Sequence, residues 1–280
     1  MSETAPADDG DQEYILGTDR IELERLGLQH QAWRAQALDL WATAGFGAGQ
    51  SLLDLGCGPG YTTLDLAEQV GPDGHVLGVD LSPGFVATLQ AEAARRQRPW
   101  VEARRADLLS LDLPPASLDG AYGRWVLCWL EDPRPALEAL ARWLRPGAAL
   151  ALQEYLHWAT FALVPAHPAH EAARAACLRS WELAGLQINL ATELPGLARE
   201  VGLEVELLRP VARVGRPGSL VWRWVFGFLD SYLPRLAERG QVDAALHRAC
   251  LDAAAARAAE PGSHVVAPLM ADVVLRRPAG

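Results

Sequence analysis

The sequence of 280 residues predicts an α/β fold, in which helices cover both faces of a parallel sheet. Two observations predict it. From Ser51 onward, short apolar runs alternate with amphipathic stretches of helical period. A turn with three glycines follows the first apolar run, as expected where a strand passes directly into a helix. Half of the residues are hydrophobic and 21% are charged, a globular composition with ample material for a core.

Two segments precede the first predicted strand. Residues 1–12 are small, acidic and polar, so we expect a disordered tail. Residues 13–44 carry apolar side chains at helical spacing, and Asp19 with Glu22 can form a capping box. The second segment therefore predicts an N-terminal helix of several turns.

Strands and helices alternate regularly from residue 51 to residue 158. The predicted strands are 51–56, 74–80, 100–107, 118–130 and 148–158, and the predicted helices are 62–70, 84–97 and 132–147. The last of these helices has proline near its start and Pro-Gly at its end, which are typical helix boundaries. Such alternation is the pattern of parallel strands joined by crossover helices.

This regular pattern breaks after residue 158. Two mainly helical insertions are predicted, at about 159–194 and at 215–261. A short helix and a sixth strand are expected between them, and residues 264–277 predict a seventh strand. Residues 45–280 are therefore expected to form one domain, a sheet core with two helical insertions.

Charge and cysteine usage exclude several classes of protein. The net charge of −10 argues against nonspecific binding to nucleic acid, which needs clustered basic residues. Cys57, Cys128, Cys177 and Cys250 lie far apart without a zinc-ligand pattern, so neither a metal site nor a disulfide framework is expected. No apolar run reaches the roughly 20 residues of a membrane span, and no signal peptide is recognisable. We expect a soluble, cytoplasmic protein without a membrane partner.

The turn after the first strand carries Gly56, Gly58 and Gly60. Because glycine lacks a Cβ atom, the backbone can turn sharply there and approach a ligand closely. Asp80 ends the second predicted strand, where a carboxylate can accept hydrogen bonds from ribose hydroxyls. An adenosine-type ligand meets both requirements. The spacing GxGxG, preceded by Asp54, differs from the GxGxxG of dinucleotide sites, and no GK[ST] motif of nucleoside triphosphate sites occurs.

The ordered set of motifs between residues 50 and 156 resembles that of class I S-adenosylmethionine-dependent methyltransferases. The matching stretches are LLDLGCGPGYTTLDLA, GVDLSP, ARRADLLSLDL, LDGAYGRWVLCWLEDP and LRPGAALALQEY. The resemblance implies a Rossmann-like, doubly wound, seven-stranded sheet, mostly parallel with an antiparallel last strand. It also implies S-adenosylmethionine as the cofactor. Residues 13–44 would form a helical lid over it, and the two insertions would cap a small-molecule acceptor site.

The resemblance also implies which residues contact the cofactor. The implied contacts are Asp54, Gly56, Cys57, Gly58 and Gly60 around the methionine part, Asp80 at the ribose, Leu81, Asp107 and the Leu108 backbone at the adenine, and Arg124 and Trp125 near the sulfonium. Tyr14 and Gln29 of the first helix are further expected contacts, to the methionine carboxylate or amine. Cys57 is assigned no redox role.

Candidate catalytic residues lie near the end of the fifth predicted strand. A neutral His157, His167 or His170, or the carboxylate of Glu154, can take a proton from a hydroxyl or amine acceptor. Together with Arg124, His157 and Glu154 form the expected catalytic set, with solvated loop histidines as the open alternative. The HPAH stretch has no third ligand at useful spacing, so no metal is expected there.

The stretch VWRWVFGFLDSY places Trp222, Phe226 and Leu229 on one helical face. That face belongs either to the core or to a roof over the acceptor, and a roof favours an apolar or aromatic molecule. We expect a methyltransferase acting on an O, N or C atom of a small metabolite, with a homodimer as a further expectation. Two alternatives remain open, a noncatalytic S-adenosylmethionine- or S-adenosylhomocysteine-binding protein and a nicotinamide-dependent oxidoreductase.

Overall fold

In the computed structural model, which describes residues 20–279, helices and strands alternate along the chain. The strands are β1 Ser51–Leu55, β2 His75–Asp80, β3 Val101–Arg105, β4 Leu118–Arg124, β5 Leu144–His157, β6 Ala162–Val164, β7 Glu204–Val211, β8 Val214–Gly215, β9 His264–Val266 and β10 Leu269–Arg276. The helices are α1 Arg20–Ala44, α2 Tyr61–Val70, α3 Pro83–Arg95, α4 Arg134–Trp143, α5 Pro168–Leu183, α6 Leu194–Glu200, α7 Leu220–Glu238 and α8 Ala245–Ala258. Short 3₁₀ turns follow β4 at Leu127–Trp129 and β5 at Trp158–Thr160, and a third spans Leu190–Thr192.

The main sheet has seven strands in the order β3-β2-β1-β4-β5-β10-β7. Strands β1 to β5 pair in parallel, and β10 runs antiparallel to both of its neighbours, β5 and β7. The winding therefore reverses next to β1, where β2 lies on one side and β4 on the other. The predicted doubly wound sheet with an antiparallel last strand is confirmed. In such a sheet the crevice at the carboxyl ends of β1, β2 and β4 is the expected ligand site.

The apolar core lies on both faces of this sheet. On one face α1 and α2 pack against the strands through Trp41, Leu66 and their neighbours. On the other face α4 packs through Leu137 and Leu140, next to α6, which packs on β7. Every central strand is therefore covered on both sides, which explains why the strands appear in the sequence as nearly continuous apolar runs.

Three predicted strands differ from the structure. The fifth, expected over 148–158, begins at Leu144, because α4 ends at Trp143 and not at residue 147. The fourth, expected over 118–130, ends at Arg124 because Trp125 takes a left-handed conformation with φ 54° and the chain enters a 3₁₀ turn. The seventh, expected over 264–277, is two strands, β9 and β10, with Pro268 in the break between them. Proline cannot donate to a strand ladder, so it favours an end there.

A second sheet, which the sequence pattern does not predict, joins the two insertions. It has three antiparallel strands in the order β6-β9-β8. β6 lies in the first insertion, β8 begins the second, and β9 leads into the last strand of the main sheet. Helices α5, α7 and α8 pack on one another beside this sheet, so the two insertions form one layer.

Helix α1 lies across this layer and the main sheet, in contact with α7, α2, β5 and β10. Buried Asp272 of β10 fixes it in place by accepting hydrogen bonds from Gln36 of α1, from Gln153 of β5 at 2.8 Å and from Arg209 of β7 at 2.7 Å. The tail at 1–12 and the lid residues before Arg20, including Asp19, lie outside the described residues. The division of the chain into tail, lid and capped core remains a prediction. Among residues 20–279, none of the helices is long and apolar enough to cross a membrane.

Candidate active site

The glycine turn lies between β1 and α2 at the crevice. Gly56, Gly58 and Gly60 have φ values of 54°, 54° and 91°, a region that side-chain-bearing residues rarely adopt. A Cβ atom on Gly60 would lie 2.3 Å from Leu89, and one on Gly56 would lie 2.7 Å from Val126. At Gly58 a Cβ atom would meet no atom of residues 20–279 within 4 Å. Gly58 is therefore the glycine that faces open space.

Asp80 connects the glycine turn to the end of β2. Its Oδ2 atom accepts a hydrogen bond from the backbone N–H of Gly58 at 2.9 Å, and its Oδ1 atom accepts one from Ser82 at 2.8 Å. Burial raises the pKa of this carboxyl group, and the backbone hydrogen bonds oppose the shift. A carboxylate has about four lone-pair sites, so Asp80 can still accept from a ligand hydroxyl.

The expected adenine contacts lie on the open edge beyond Asp80. Leu81 exposes 51% of its surface. Asp107 is also exposed, and its Oδ1 atom accepts from the backbone N–H of Leu109 at 2.9 Å. The Leu108 side chain is buried in the core, which leaves its backbone for a ligand. An apolar side chain and a carboxylate therefore border the crevice where an adenine would lie.

Asp54 and Cys57 lie beneath this edge. Asp54 is buried, and its Oδ2 atom accepts a hydrogen bond from Thr63 Oγ1 at 2.6 Å. Burial raises the pKa of Asp54 to about 7, while Thr63 and the Arg124 guanidinium oppose the shift. Burial also raises the pKa of the Cys57 thiol, which keeps it protonated. Asp54 thus fixes α2 under the glycine turn, and Cys57 offers no reactive thiolate.

Arg124 is the last residue of β4, and its guanidinium carbon lies 5.4 Å from the centroid of the Trp125 ring. The Nη1 atom is buried and has no hydrogen-bond partner among the described residues. Such an unsatisfied buried donor costs on the order of 1–3 kcal/mol. An anionic or carbonyl group of a ligand would satisfy it.

The surroundings of Glu154 differ from those expected of a general base. Its side chain is fully buried, and Oε1 accepts hydrogen bonds from the backbone N–H groups of Val126 at 3.2 Å and Leu127 at 3.0 Å. Burial raises the pKa of Glu154 to about 7. These contacts are those of a residue that shapes the turn after β4.

His157, the first of the candidate catalytic histidines, lies away from the glycine turn. The register of β4 and β5 pairs Arg124 with Gln153, so His157 is four residues further along β5, roughly 13 Å beyond that edge. His157 is exposed there, and its catalytic role remains a prediction. The His167 Nδ1 atom caps α5 by accepting from the backbone N–H of Ala169 at 3.2 Å.

His170 is buried in the capping layer. Its ring packs edge-on against Phe161, with centroids 4.6 Å apart, and against Phe226 at 6.2 Å. Neither ring nitrogen has a hydrogen-bond partner among the described residues, although a Glu171 oxygen lies 3.9 Å from Nδ1. Burial lowers the pKa of His170 to about 4. The imidazole is therefore neutral in the folded protein.

We expect His170 to make stability fall as the pH is lowered. The unfolded chain takes up the proton near pH 6.5, but the folded protein does so only near pH 4, so the free energy of unfolding falls across that window by up to about 3 kcal/mol. His170→Leu should remove this slope, as measured by urea unfolding between pH 7 and pH 4. Asp54 and Glu154, with pKa values raised to about 7, contribute a slope of opposite sign to both proteins. An unchanged slope in the variant would contradict the assignment.

The first helix brings a polar side chain to the site. Gln29 Oε1 accepts hydrogen bonds from Arg25 at 3.1 Å and from Trp224 Nε1 at 3.2 Å. Arg25 is in turn held by both carboxylate oxygens of Glu22, each at 2.7 Å. Tyr14, the other expected contact of the lid, lies outside the described residues.

Gln29 lines a small cavity with strongly aromatic walls, of about 20 Å³. Its other lining residues come from the end of β5, from α7 and from the approach to β10: Tyr155, Trp158, Phe161, Trp224, Val225, Phe228 and Pro268. Trp224 and Phe228 face it, whereas Trp222, Phe226 and Leu229 lie in the core, one of the two places expected for their helical face. Helix α7 is buried on more than one face, so its spacing alone does not indicate which aromatic residues face the site.

The residues at the crevice fit a ligand that joins adenosine to an amino acid. Gly58 leaves room at the turn, Asp80 offers lone pairs at the end of β2, and Arg124 presents an unsatisfied donor at the end of β4. Within residues 20–279 no group of three or more His, Cys, Asp or Glu side chains is arranged to hold a metal ion.

Comparison with known proteins agrees with this fit. The model of the family described as "Methyltransferase domain" matches residues 53–152. The 2-phytyl-1,4-naphtoquinone methyltransferase of Nostoc punctiforme is 32% identical over 215 residues, which cover 69% of this chain and 87% of that protein. The trans-aconitate 2-methyltransferase of Methylobacterium nodulans is 40% identical over 117 residues, 42% of this chain and 43% of that protein. An uncharacterized 37.1 kDa protein in a Streptomyces fradiae transposon is 32% identical over 203 residues, 70% of this chain and 57% of that protein. The chain thus spans about half the length of the last two relatives.

Solved structures share the fold. The [4+2]-cyclase SpnF has a TM-score of 0.59 and 22% identity, with 88% of this chain and 82% of that chain covered. A putative methyltransferase from Bacillus halodurans has a TM-score of 0.60 and 13% identity, with 86% and 98% covered. Fold, site and the relative from Nostoc punctiforme lead to the same conclusion: the chain belongs to the class I S-adenosylmethionine-dependent methyltransferases.

Proposed function

We propose that the protein transfers a methyl group from S-adenosylmethionine to an O, N or C atom of a small apolar or aromatic molecule. The observation that carries the proposal is the position of the turn Trp125–Leu127. Val126 of this turn packs against Gly56 of the glycine turn, and the Trp125 ring packs against Tyr155 and Trp224, which line the aromatic cavity. The cofactor crevice and an apolar acceptor site therefore adjoin at one turn.

Each group of side chains has a role in this reaction. The cofactor supplies a methyl group already activated on a sulfonium, so the protein mainly has to hold the acceptor in line and exclude water. Asp80 would hold the ribose, Gly58 would lie against the methionine part of the cofactor, and the aromatic walls would exclude water. The Gln29 amide nitrogen has no hydrogen-bond partner within the described residues, so it can donate a hydrogen bond to an oxygen atom of the methyl acceptor.

The names of the relatives support an aromatic acceptor. The relative from Nostoc punctiforme is named for a naphthoquinone, an apolar ring system, whereas the relative from Methylobacterium nodulans is named for trans-aconitate, an acid. Among residues 20–279, the side chains that line the cavity include one amide and no charged group. Its walls therefore favour the first kind of molecule.

The role of Arg124 provides a direct test of cofactor binding. A guanidinium beside a sulfonium would repel it, so we expect Arg124 to bind the methionine carboxylate through its unsatisfied Nη1 atom. Arg124→Gln should weaken the binding of S-adenosylhomocysteine at least about tenfold. It should leave the affinity for 5′-methylthioadenosine, which lacks the carboxylate, within about twofold. An equal loss for both ligands in calorimetric titrations would indicate a damaged site instead.

The proposed function is tested in two steps. Calorimetric titration with S-adenosylhomocysteine, with NAD as the control, should show micromolar binding of the first and none of the second, which separates the protein from an oxidoreductase. Transfer of a labelled methyl group to members of a panel of phenols, naphthols, quinols and amines then separates an enzyme from a noncatalytic binding protein. Binding without transfer to any member would favour the noncatalytic alternative. Full turnover of His157→Ala would remove that residue from the catalytic set.

The partners and the location inferred from sequence belong to the same proposal. We propose a small-molecule acceptor as the working partner, with no nucleic acid and no membrane bound. A homodimer and a cytoplasmic location remain predictions. Light scattering on the purified protein tests the first of these.

A further inference from the structure

The backbone at Trp125 is held in an unusual conformation. Its φ value of 54° lies in the left-handed region, which costs a bulky residue on the order of 1–3 kcal/mol. Strand β5 keeps it there: the Trp125 N–H donates to the Gln153 carbonyl at 3.0 Å, and Glu154 accepts from Val126 and Leu127. Strand β5 thus fixes the backbone of the turn, while the indole ring of Trp125 projects into the site.

The Trp125 ring bridges other aromatic rings. It lies nearly parallel to Tyr155, at a centroid distance of 5.5 Å and an angle of 21°, and to Trp224, at 5.5 Å and 12°. Trp33 meets it edge-on at 5.6 Å. We call the volume that this ring occupies, bordered by Tyr155, Trp224 and Trp33, the indole slot.

Among residues 20–279, the polar contacts that hold the ring in the slot are weak. Its Nε1 atom donates to the Met270 sulfur at 3.0 Å, and a thioether is a weak acceptor. The guanidinium of Arg124 lies against the ring without a hydrogen bond. Stacking and burial therefore contribute most of the free energy that keeps the indole in the slot. Another planar aromatic ring would make the same stacking contacts there.

The open cavity beside the slot forms part of the acceptor site but is too small to hold an acceptor by itself. Its volume is about 20 Å³, whereas a cavity that takes up a benzene-sized molecule has a volume on the order of 150 Å³. The slot and the cavity share the walls Tyr155 and Trp224. If the indole left the slot, the two volumes would join beside the turn that packs on Gly56.

We propose that the methyl acceptor is a planar aromatic molecule whose ring takes the place of the Trp125 indole in the slot, which makes Trp125 a specificity-determining residue. The inference rests on the proposed function and names its substrate class. A planar ring regains the stacking on Tyr155 and Trp224 that the displaced indole gives up. A nonplanar molecule of the same size does not, so the slot selects for shape.

The slot is tested with 1-naphthol as a planar probe and 1-decalol as a nonplanar probe on the same carbon skeleton. Both are titrated in the presence of saturating S-adenosylhomocysteine. Because the wild-type ring competes for the slot, Trp125→Ala should bind 1-naphthol at least about tenfold more tightly than wild type. Its affinity for 1-decalol should change less than about twofold. Trp129→Ala, a matched change four residues along whose ring contacts Trp181 outside the slot, should behave as wild type.

Equal affinities of wild type and Trp125→Ala for 1-naphthol would overturn the inference, and so would an equal gain for 1-decalol. If Trp125→Ala does not fold, 5-fluorotryptophan labelling of the wild type replaces it, with the Trp125 resonance assigned by Trp125→Phe. Addition of 1-naphthol should then shift that resonance, and a shift confined to other tryptophans would overturn the inference. Wild-type protein that fails to bind S-adenosylhomocysteine would instead overturn the proposed function.

Discussion

Asp80→Asn is expected to weaken the binding of S-adenosylhomocysteine by about ten- to a hundredfold. Hydrogen bonds from ribose hydroxyls to a charged carboxylate contribute roughly 1.5–3 kcal/mol, and the amide that replaces it keeps the size but loses the charge. Asp80 also holds the Gly58 N–H, so the variant loosens the turn that approaches the ligand. Both effects act on the cofactor and neither requires the acceptor to be known.

Asp73→Asn is the matched control, because Asp73 is exposed in the turn before β2, at the opposite end of the strand from Asp80. It should bind S-adenosylhomocysteine as wild type does in calorimetric titration. If Asp80→Asn also kept the wild-type affinity, the assignment of Asp80 to the ribose would be wrong.

The cofactor-binding side of the site could be predicted from sequence because the motifs that indicate it are local. Glycine spacing and a carboxylate at the end of an apolar run specify a turn and a strand end within one stretch of chain. The alternation of strands and helices likewise determines most of the order of the main sheet, since crossover connections between parallel strands are right-handed. The structure places Gly58 and Asp80 in direct contact, as this local pattern implies.

The end of β4 could not be predicted in the same way. The run from Leu118 to Leu130 is mostly apolar and contains no proline, and such a run fits a buried strand as well as a buried turn. The left-handed conformation of Trp125 is imposed from outside the run, by Gln153 and Glu154 of β5. The small sheet β6-β9-β8 is a similar case, because its strands come from distant parts of the chain.

The contacts of Glu154 could not be predicted from sequence either. Alternation shows which face of an edge strand is buried, but β5 is central and covered on both faces, so Gln153 and Glu154 are both buried. The residue type was compatible with a base, and only the packing shows that its carboxylate binds the backbone of the following turn. Local pattern therefore predicted the side of the site that binds the cofactor better than the side that binds the acceptor.

Gly60→Ala is expected to destabilise the fold by about 2–5 kcal/mol, because the new Cβ atom combines overpacking with a disfavoured backbone conformation. Gly60 has φ 91°, and its added Cβ atom would lie 2.3 Å from Leu89 Cδ1 and 2.9 Å from Cγ. Leu89 is fully buried and cannot move aside freely. Urea unfolding measures the loss, and thermal melting should show a decrease on the order of 10 °C.

Gly58→Ala provides the contrast, since its φ of 54° brings backbone strain but its added Cβ atom meets none of the described residues within 4 Å. We expect a loss of only about 1–2 kcal/mol in stability, together with at least about a tenfold loss of S-adenosylhomocysteine affinity. The methyl group would occupy the space that the ligand needs, and it would move the N–H that Asp80 holds. The two variants therefore separate a glycine needed for packing on Leu89 from a glycine needed for the cofactor. Wild-type affinity in Gly58→Ala would show that the turn does not approach the ligand, and equal destabilisation by both variants would show that Gly58 is a packing residue as well.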